Sequence, residues 1–306
     1  MADLSLQEKL KRVKRFFDID QVINRKTDFE SITRYFKVNK FPYFFFHSKD
    51  GFVHVGISRD GKYKEDDLNE QSRVVEKYIN ELGAKNVLEL ATGKGASSVY
   101  LAKRYPFVQF DGLDLPNGQI DVAKKKARRF KNFHVFEGDF HDLSQFKDES
   151  YDAVFIFEAI CYSNKKDVLA NEVKRVLRPG GVFVIVDGYL DKPESECSED
   201  EILAKKITEK GVMLTKLEHY DYSKEKIASS GLELVFEEDV SRSIEPTLNR
   251  LCAISAVFFS HPHTAKWFSD HMPVEFSYNA ITAYLMPDLF RSHVSKYMVT
   301  VFKKNC

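Results

Sequence analysis

Four acidic residues stand where short apolar runs end: Glu89, Asp114, Asp139 and Glu158. The first belongs to Val87-Leu88-Glu89-Leu90-Ala91, a run that fits a strand buried on both faces. Thr92-Gly93-Lys94-Gly95 follows at once, and the stretch from Ser98 to Lys103 then reads as a helix. Strand, glycine turn and helix let a ligand lie against bare backbone at a helix N-terminus. A P-loop is excluded, because Gly95 is followed by Ala96 and not by Lys-Ser or Lys-Thr. A dinucleotide fingerprint needs a third glycine where this chain has Ser98. A carboxylate at position 89, facing the loop cavity, suits a ligand that carries positive charge.

The next acids narrow the ligand. Asp114 and Leu115 close a second strand, read as 107–115, and a carboxylate there accepts both hydroxyls of an adenosine ribose. Gly138-Asp139-Phe140 closes a third strand begun at Phe133. Its aspartate can accept from the adenine amine while Phe140 offers a ring edge or face. A cationic ligand with an adenosine is S-adenosylmethionine, with a nicotinamide dinucleotide as the alternative. The expected cofactor contacts are Gln71, Glu89, Ala91, Gly93, Gly95, Asp114, Leu115, Asp139 and Phe140, a surface position being the alternative for Gln71. Glu158, at the end of a fourth strand, is the candidate catalytic base, with anchoring the cap by hydrogen bonds or contacting the cofactor as the alternatives.

Other elements must position these groups. Leu6, Leu10, Val13 and Phe17 give residues 5–18 one apolar helical face, packed on the domain or laid on a membrane surface. Residues 41–56 are densely aromatic and broken by Pro42 and Gly51, which predicts a loop or short hairpin that either walls an apolar substrate or packs as a satellite core under a loop. Tyr43, Phe44, Phe45, Phe46, His54 and Tyr162 are the expected pocket residues, with Tyr63 a lesser candidate. Asp67-Leu68-Asn69-Glu70 reads as a capping box opening a helix with Leu68, Val75, Ile79 and Leu82 on one face, stopped by Gly83. Lys124-Lys125-Lys126 reads as a solvated face. A helix near 165–176 turns Val168, Val173 and Val176 to the sheet. Strands are expected at 182–187, 232–240 and 297–302, and mostly helical insertions at 191–231 and 244–295. His261-Pro262-His263 reads as a loop rather than a metal pair.

Gly138-Asp139-Phe140, Tyr151-Asp152-Ala153-Val154-Phe155 and Leu177-Arg178-Pro179-Gly180-Gly181-Val182-Phe183 resemble, in order and spacing, successive motifs of class I S-adenosylmethionine-dependent methyltransferases. Phe157-Glu158-Ala159-Ile160-Cys161-Tyr162 is similar to a segment of the sterol, tocopherol and prenyl-lipid C-methyltransferases. Two departures stand out: Ala91 replaces the usual glycine and Tyr162 the usual histidine. The resemblance implies an α/β, Rossmann-like seven-stranded sheet with its last strand antiparallel, a helical N-terminal lid (1–66), a cofactor-binding core (67–190), and cap helices with the last two strands (191–306). It also implies methyl transfer to carbon of an isoprenoid or lipid-like acceptor. N- or O-methylation of a small metabolite and nicotinamide-dependent reduction are the alternatives. Magnesium enters only with a diphosphate acceptor, for which Arg242 or Arg250 would be the cations.

Composition sets the bounds. The 306 residues carry 46 basic and 46 acidic side chains, which argues against a general nucleic-acid grip. Cys161, Cys197, Cys252 and Cys306 show no paired spacing, so a reducing compartment and no zinc cluster are expected. No apolar run is long enough to span a bilayer, and the expectation is a cytoplasmic protein.

Overall fold

Period-two alternation within buried runs builds the centre of the molecule. In β4 (Tyr151–Phe157), Val154 and Ile156 face one core while Ala153 and Phe155 face the other. In β5 (Leu177–Leu190), Phe183 and Ile185 alternate in the same way with Val182 and Val184. Such strands bury both faces and need helices on each side. The computed structural model, which describes residues 4–39, 43–261, 266–267 and 271–305, shows that arrangement.

The sheet has seven strands in the order β3-β2-β1-β4-β5-β7-β6. β1 (Asn86–Leu90), β2 (Gln109–Asp114) and β3 (Phe133–Glu137) run parallel to one another and to β4 and β5. β7 (Ser295–Lys304) enters antiparallel between β5 and β6 (Leu232–Asp239). One face is covered by α4 (Glu70–Leu82), α5 (Ala96–Arg104) and α6 (Gly118–Ala127), the other by α7 (Lys166–Val176) and α9 (Tyr220–Ala228). The order reverses at β1 and β4, and the crevice beyond their carboxyl ends is where open α/β sheets bind ligands.

A separate apolar cluster joins α1 (Leu6–Phe16), α2 (Ile19–Ile23), α8 (Glu199–Gly211), α10 (Ser241–Ser260) and α11 (Val274–Arg291). α1 starts in a capping box, with Ser5 and Glu8 exchanging hydrogen bonds, and buries Leu10 and Val13. Its apolar face therefore packs on its own chain. α3 (Phe29–Val38) lies between α2 and the aromatic stretch at 43–47 in the chain. Among the described residues no helix is long and apolar enough to cross a membrane.

Several local expectations are corrected. Residues 43–56 form no hairpin: Tyr43–His47 make a single π-helical turn and the rest is the loop alternative, a strap in which Gly51 has φ +95°, while Phe41 and Pro42 lie outside the described residues. The expected capping box does not form at α4. Asp67 instead accepts from the Lys64 N–H at 2.7 Å and the Ser58 hydroxyl at 2.5 Å, closing the turn before the helix. Val168 and Leu82 are exposed, because Leu169 and Val173 take the sheet-facing positions of α7 and Val75 and Ile79 those of α4. Phe107 is exposed and precedes β2. Of the lysine run, Lys126 turns inward to the Asp50 carbonyl at 2.6 Å, tying α6 to the strap.

The two glycines of the loop have different reasons. Gly93 has φ +55°, and an added Cβ would meet only Gln119 Oε1, at 3.7 Å. Gly95 has φ +67°, and its Cβ would press on Phe133 at 3.1 Å and on Ala123 at 3.2 Å. Gly83, with φ +58°, has nothing within 4 Å. We predict that Gly83→Ala costs about 1 kcal/mol, the left-handed penalty alone. Gly95→Ala should cost about 2–4 kcal/mol, because overpacking is added. Urea melts of both variants check the difference.

Candidate functional site

The carboxyl ends of β1 and β2 bring two of the acids together. Glu89 is buried beneath the glycine loop and accepts from the Thr92 hydroxyl at 2.6 Å and the Ser98 hydroxyl at 2.5 Å. Ser98, which marks the break from the dinucleotide pattern, thus holds Glu89 from α5. Asp114 accepts from the Gly93 N–H at 2.6 Å, the Leu115 N–H at 2.8 Å and Asn117 at 3.2 Å. Ala91 sits at φ +55°, a conformation that explains why glycine is usual there. Asp139 lies on the next loop and is exposed, its Oδ1 accepting from the N–H and Nδ1 of His141. Phe140 is half-buried against the core.

Burial sets the electrostatics. It raises Glu89 to about 7, partly opposed by the Ser98 and Thr92 hydroxyls, and it also raises Asp114. His47 and His54 are pushed down to about 4 by burial, so both rings are neutral.

Glu158 ends β4 at φ +46°. Its Oε1 accepts from the Val55 N–H at 2.8 Å and the Tyr297 hydroxyl at 2.6 Å. Gln71 is buried, not superficial, and donates to that same Tyr297 oxygen at 2.7 Å and to the Val55 carbonyl. Burial raises Glu158 to about 7 and neighbouring Asp187 to about 6. Asp187 accepts from the Cys161 N–H at 3.1 Å.

Glu158 and Asp187 line a cavity of about 690 Å³ whose wall also draws on α3, α8, α10 and α11. Tyr43, Phe46 and Tyr162 line it as expected, together with Tyr35, Phe258 and Tyr297. Tyr162 donates to the Val212 carbonyl at 2.7 Å, tying the active-site turn to the end of α8. Phe44 and Phe45 do not line it; they are 44% and 70% exposed, because the π turn points them outward. His54 does not line it either: its ring packs between Phe52 and Phe157, and Nδ1 bonds the Val55 carbonyl. Tyr63 lies under Arg250, which donates to the Phe46 carbonyl at 2.7 Å, and neither these residues nor Arg242 line the cavity. The one lysine among the lining residues, Lys205, is paired with Glu209 at 3.0 Å and Glu194 at 2.9 Å. His261 reaches the cavity; Pro262 and His263 lie outside the described residues. Among the described residues no three His, Cys, Asp or Glu side chains converge as a metal site.

Sequence reasoning missed Ser98, Tyr297, Gln119 and Asp187. Ser98 stood at a position where only glycine was asked for. Tyr297 and Asp187 are brought to Glu158 by sheet order, which no local spacing encodes.

The sheet order, the antiparallel insertion of β7 and the acids at the strand tips define the class I methyltransferase fold. Residues 88–185 match the methyltransferase-domain family. A phthiotriol/phenolphthiotriol dimycocerosates methyltransferase of Mycobacterium tuberculosis is 41% identical over 108 residues, 35% of this chain and 39% of that protein. A sterol 24-C-methyltransferase of Saccharomyces cerevisiae is 28% identical over 159 residues, 51% of this chain and 41% of that one. The chain thus spans about two fifths of the length of these relatives. Among solved structures, the [4+2]-cyclase SpnF superposes with a TM-score of 0.71 at 16% identity, over 90% of this chain and 95% of that one. The geranyl diphosphate C-methyltransferase of Streptomyces coelicolor A3(2) gives 0.62 at 15%, over 90% and 97%. Likeness at these identities shows the fold.

Glu89 yields a pH prediction. Its carboxyl ionises near 4.5 when unfolded and near about 7 when folded, so the folded chain holds the extra proton between these values. Stability is therefore greatest at the acid side of this window and falls as pH rises through about 7. Glu158 and Asp187 act in the same direction. Glu89→Gln should remove on the order of 3 kcal/mol of the stability difference between about pH 4.5 and about pH 8. Urea melts at both pH values check it; an unchanged difference would mean that Glu89 titrates as an ordinary surface acid.

Proposed function

We propose that this chain is an S-adenosylmethionine-dependent methyltransferase that methylates a carbon of an apolar, isoprenoid or lipid-like molecule. The observation that carries this reading is Glu158: a buried carboxylate, held by two hydrogen bonds through one oxygen, in the wall of a mainly apolar, aromatic cavity. The match of residues 88–185 to the methyltransferase-domain family and the lipid methyltransferases among the relatives support it.

The residues fit the cofactor. Gly93 leaves open space, Gln119 Oε1 beside it is buried without a hydrogen-bond partner, and Asp114 stands at the tip of β2. Loop 91–95, Glu89, Asp114, Leu115, Asp139 and Phe140 would hold it, with Gln71 acting through Tyr297. When bound, it supplies an electrophilic methyl group on a sulfonium.

The chain's own groups do the remainder. The cavity excludes water and aligns the acceptor. Methyl transfer to one alkene carbon would break the sulfur–methyl bond, its electron pair staying on sulfur, and would leave the neighbouring carbon a cation. Aromatic faces such as Tyr43, Phe46 and Tyr162 stabilise that cation by about 0.5–2 kcal/mol each where well placed. Glu158 then takes the adjacent proton, and the C–H electron pair restores a double bond. Acids outnumber bases on the wall, with Glu158, Asp187 and Glu209 against Lys205. With Lys205 paired, that balance opposes a diphosphate acceptor that arrives without a metal ion.

Residues 1–66 serve as the lid, 67–190 as the cofactor core, and 191–306 as the cap with the last two strands. A cytoplasmic location belongs to the same reading and rests on the free thiols of Cys161, Cys197 and Cys252.

Incubation with labelled S-adenosylmethionine and a panel of sterols, quinones, prenyl alcohols and amines tests the reaction class. Glu158→Gln should lower kcat at least about a hundredfold with cofactor affinity kept. In the parent, kcat should rise with pH through about 7, where the carboxylate forms. A loss of only a few-fold would favour N- or O-methylation, which needs alignment alone. Tight NADH binding with no response to S-adenosylmethionine in calorimetry would overturn the cofactor assignment.

A further inference from the structure

The cavity reaches the surface where Phe46 and Val257 both line it and stand 48% and 52% exposed. His261 also lines it and is exposed. Phe44 and Phe45 continue this rim outward, and their rings meet edge to face at 5.3 Å. Trp267 and Met272, between α10 and α11, and Val274, the first residue of α11, are exposed as well. Exposed aromatic side chains gathered at the opening of an apolar cavity mark a contact surface.

Charge identifies the partner. The described rim residues of two segments fall between Glu30 and Asp50 and between Glu245 and Asp270. Within those bounds stand Lys37, Lys49, Arg250 and Lys266 with no acid among them, while Arg34 is paired with Glu275 of α11 at 3.0 Å. In a chain with equal totals of acidic and basic residues, that is a local excess of one sign. α1 adds to it: its apolar face is packed inward, Phe16 lies 6.4 Å from Phe259 near the end of α10, and Lys11, Lys14 and Arg15 are exposed. Apolar rings to insert, basic groups around them and an apolar chamber behind are the features of a surface that docks on anionic lipid.

We propose that this rim seats on the surface of an anionic bilayer, so that an apolar molecule passes from the lipid phase into the cavity without crossing water. The proposal deepens the apolar-acceptor reading, but its test needs neither cofactor nor acceptor, so the two fail separately.

The full chain is sedimented with vesicles of phosphatidylcholine alone and of phosphatidylcholine with about one-third phosphatidylglycerol. Binding to the mixed vesicles should be at least about tenfold stronger and should weaken as salt is raised. The double variant Phe44→Ser/Phe45→Ser should bind them at least about tenfold less. Neither ring lines the cavity or packs in the core, so its melting temperature should match the parent. Equal binding by variant and parent, or no binding to either vesicle, overturns the proposal. So does a dimer in sedimentation velocity that the double variant dissociates, because the rim would then be covered by a second copy of the chain.

Discussion

One oxygen of Glu158 receives the Val55 N–H at 2.8 Å and the Tyr297 hydroxyl at 2.6 Å. These partners come from the amino-terminal strap and from the last strand, more than a hundred residues away on either side. Because the carboxylate ends β4, these bonds fix lid and sheet to each other at the cavity wall. Gln71 extends the constraint by donating both to Tyr297 and to the Val55 carbonyl. A group placed in this way is costly to the fold. It is buried, its φ is +46°, and its ionised form is disfavoured. Strain and desolvation of this kind persist where surrounding contacts over-determine them, and they concentrate at working sites.

The strap has a second anchor over the cofactor loop. Lys126 holds the Asp50 carbonyl, and Phe52 packs with Leu68 and Ala96 at the start of α5. Residues 50–55 therefore run from the glycine loop to Glu158. The two carboxylates raised to about 7, Glu89 and Glu158, lie under the two ends of this span.

The parallel core was legible because each of its strands is a buried run ended by a turn and a helix. Glu89, Gly93, Gly95 and Asp114 follow from that local grammar. The lid was less legible. Residues 43–47 are almost all aromatic, and composition alone cannot say which rings point inward. The π turn buries His47 and directs Tyr43 to the cavity while Phe44 and Phe45 face out. His54 suggested a pocket group, but neighbouring rings occupy its faces. Gln71 suggested solvent by its type, and only the position of Tyr297 in β7 shows why it is buried. Ala91 shows the opposite case: the departure from glycine is visible in sequence, while the left-handed backbone that makes it matter is visible only in the fold.

The cavity's charge distribution separates it from a phosphate-binding site more firmly than its shape does. A diphosphate brings negative charge to a wall that already holds Glu158, Asp187 and Glu209, with Lys205 committed to Glu194 and Glu209. Arg250 is committed to the Phe46 carbonyl and the Tyr63 ring outside the cavity. Likeness in fold to a diphosphate-methylating enzyme therefore does not carry over to the acceptor. In these folds the sheet fixes where a cofactor can lie, while the lid and cap decide what can meet it. Here they present rings and acids, the lining on which the proposed uncharged acceptor rests.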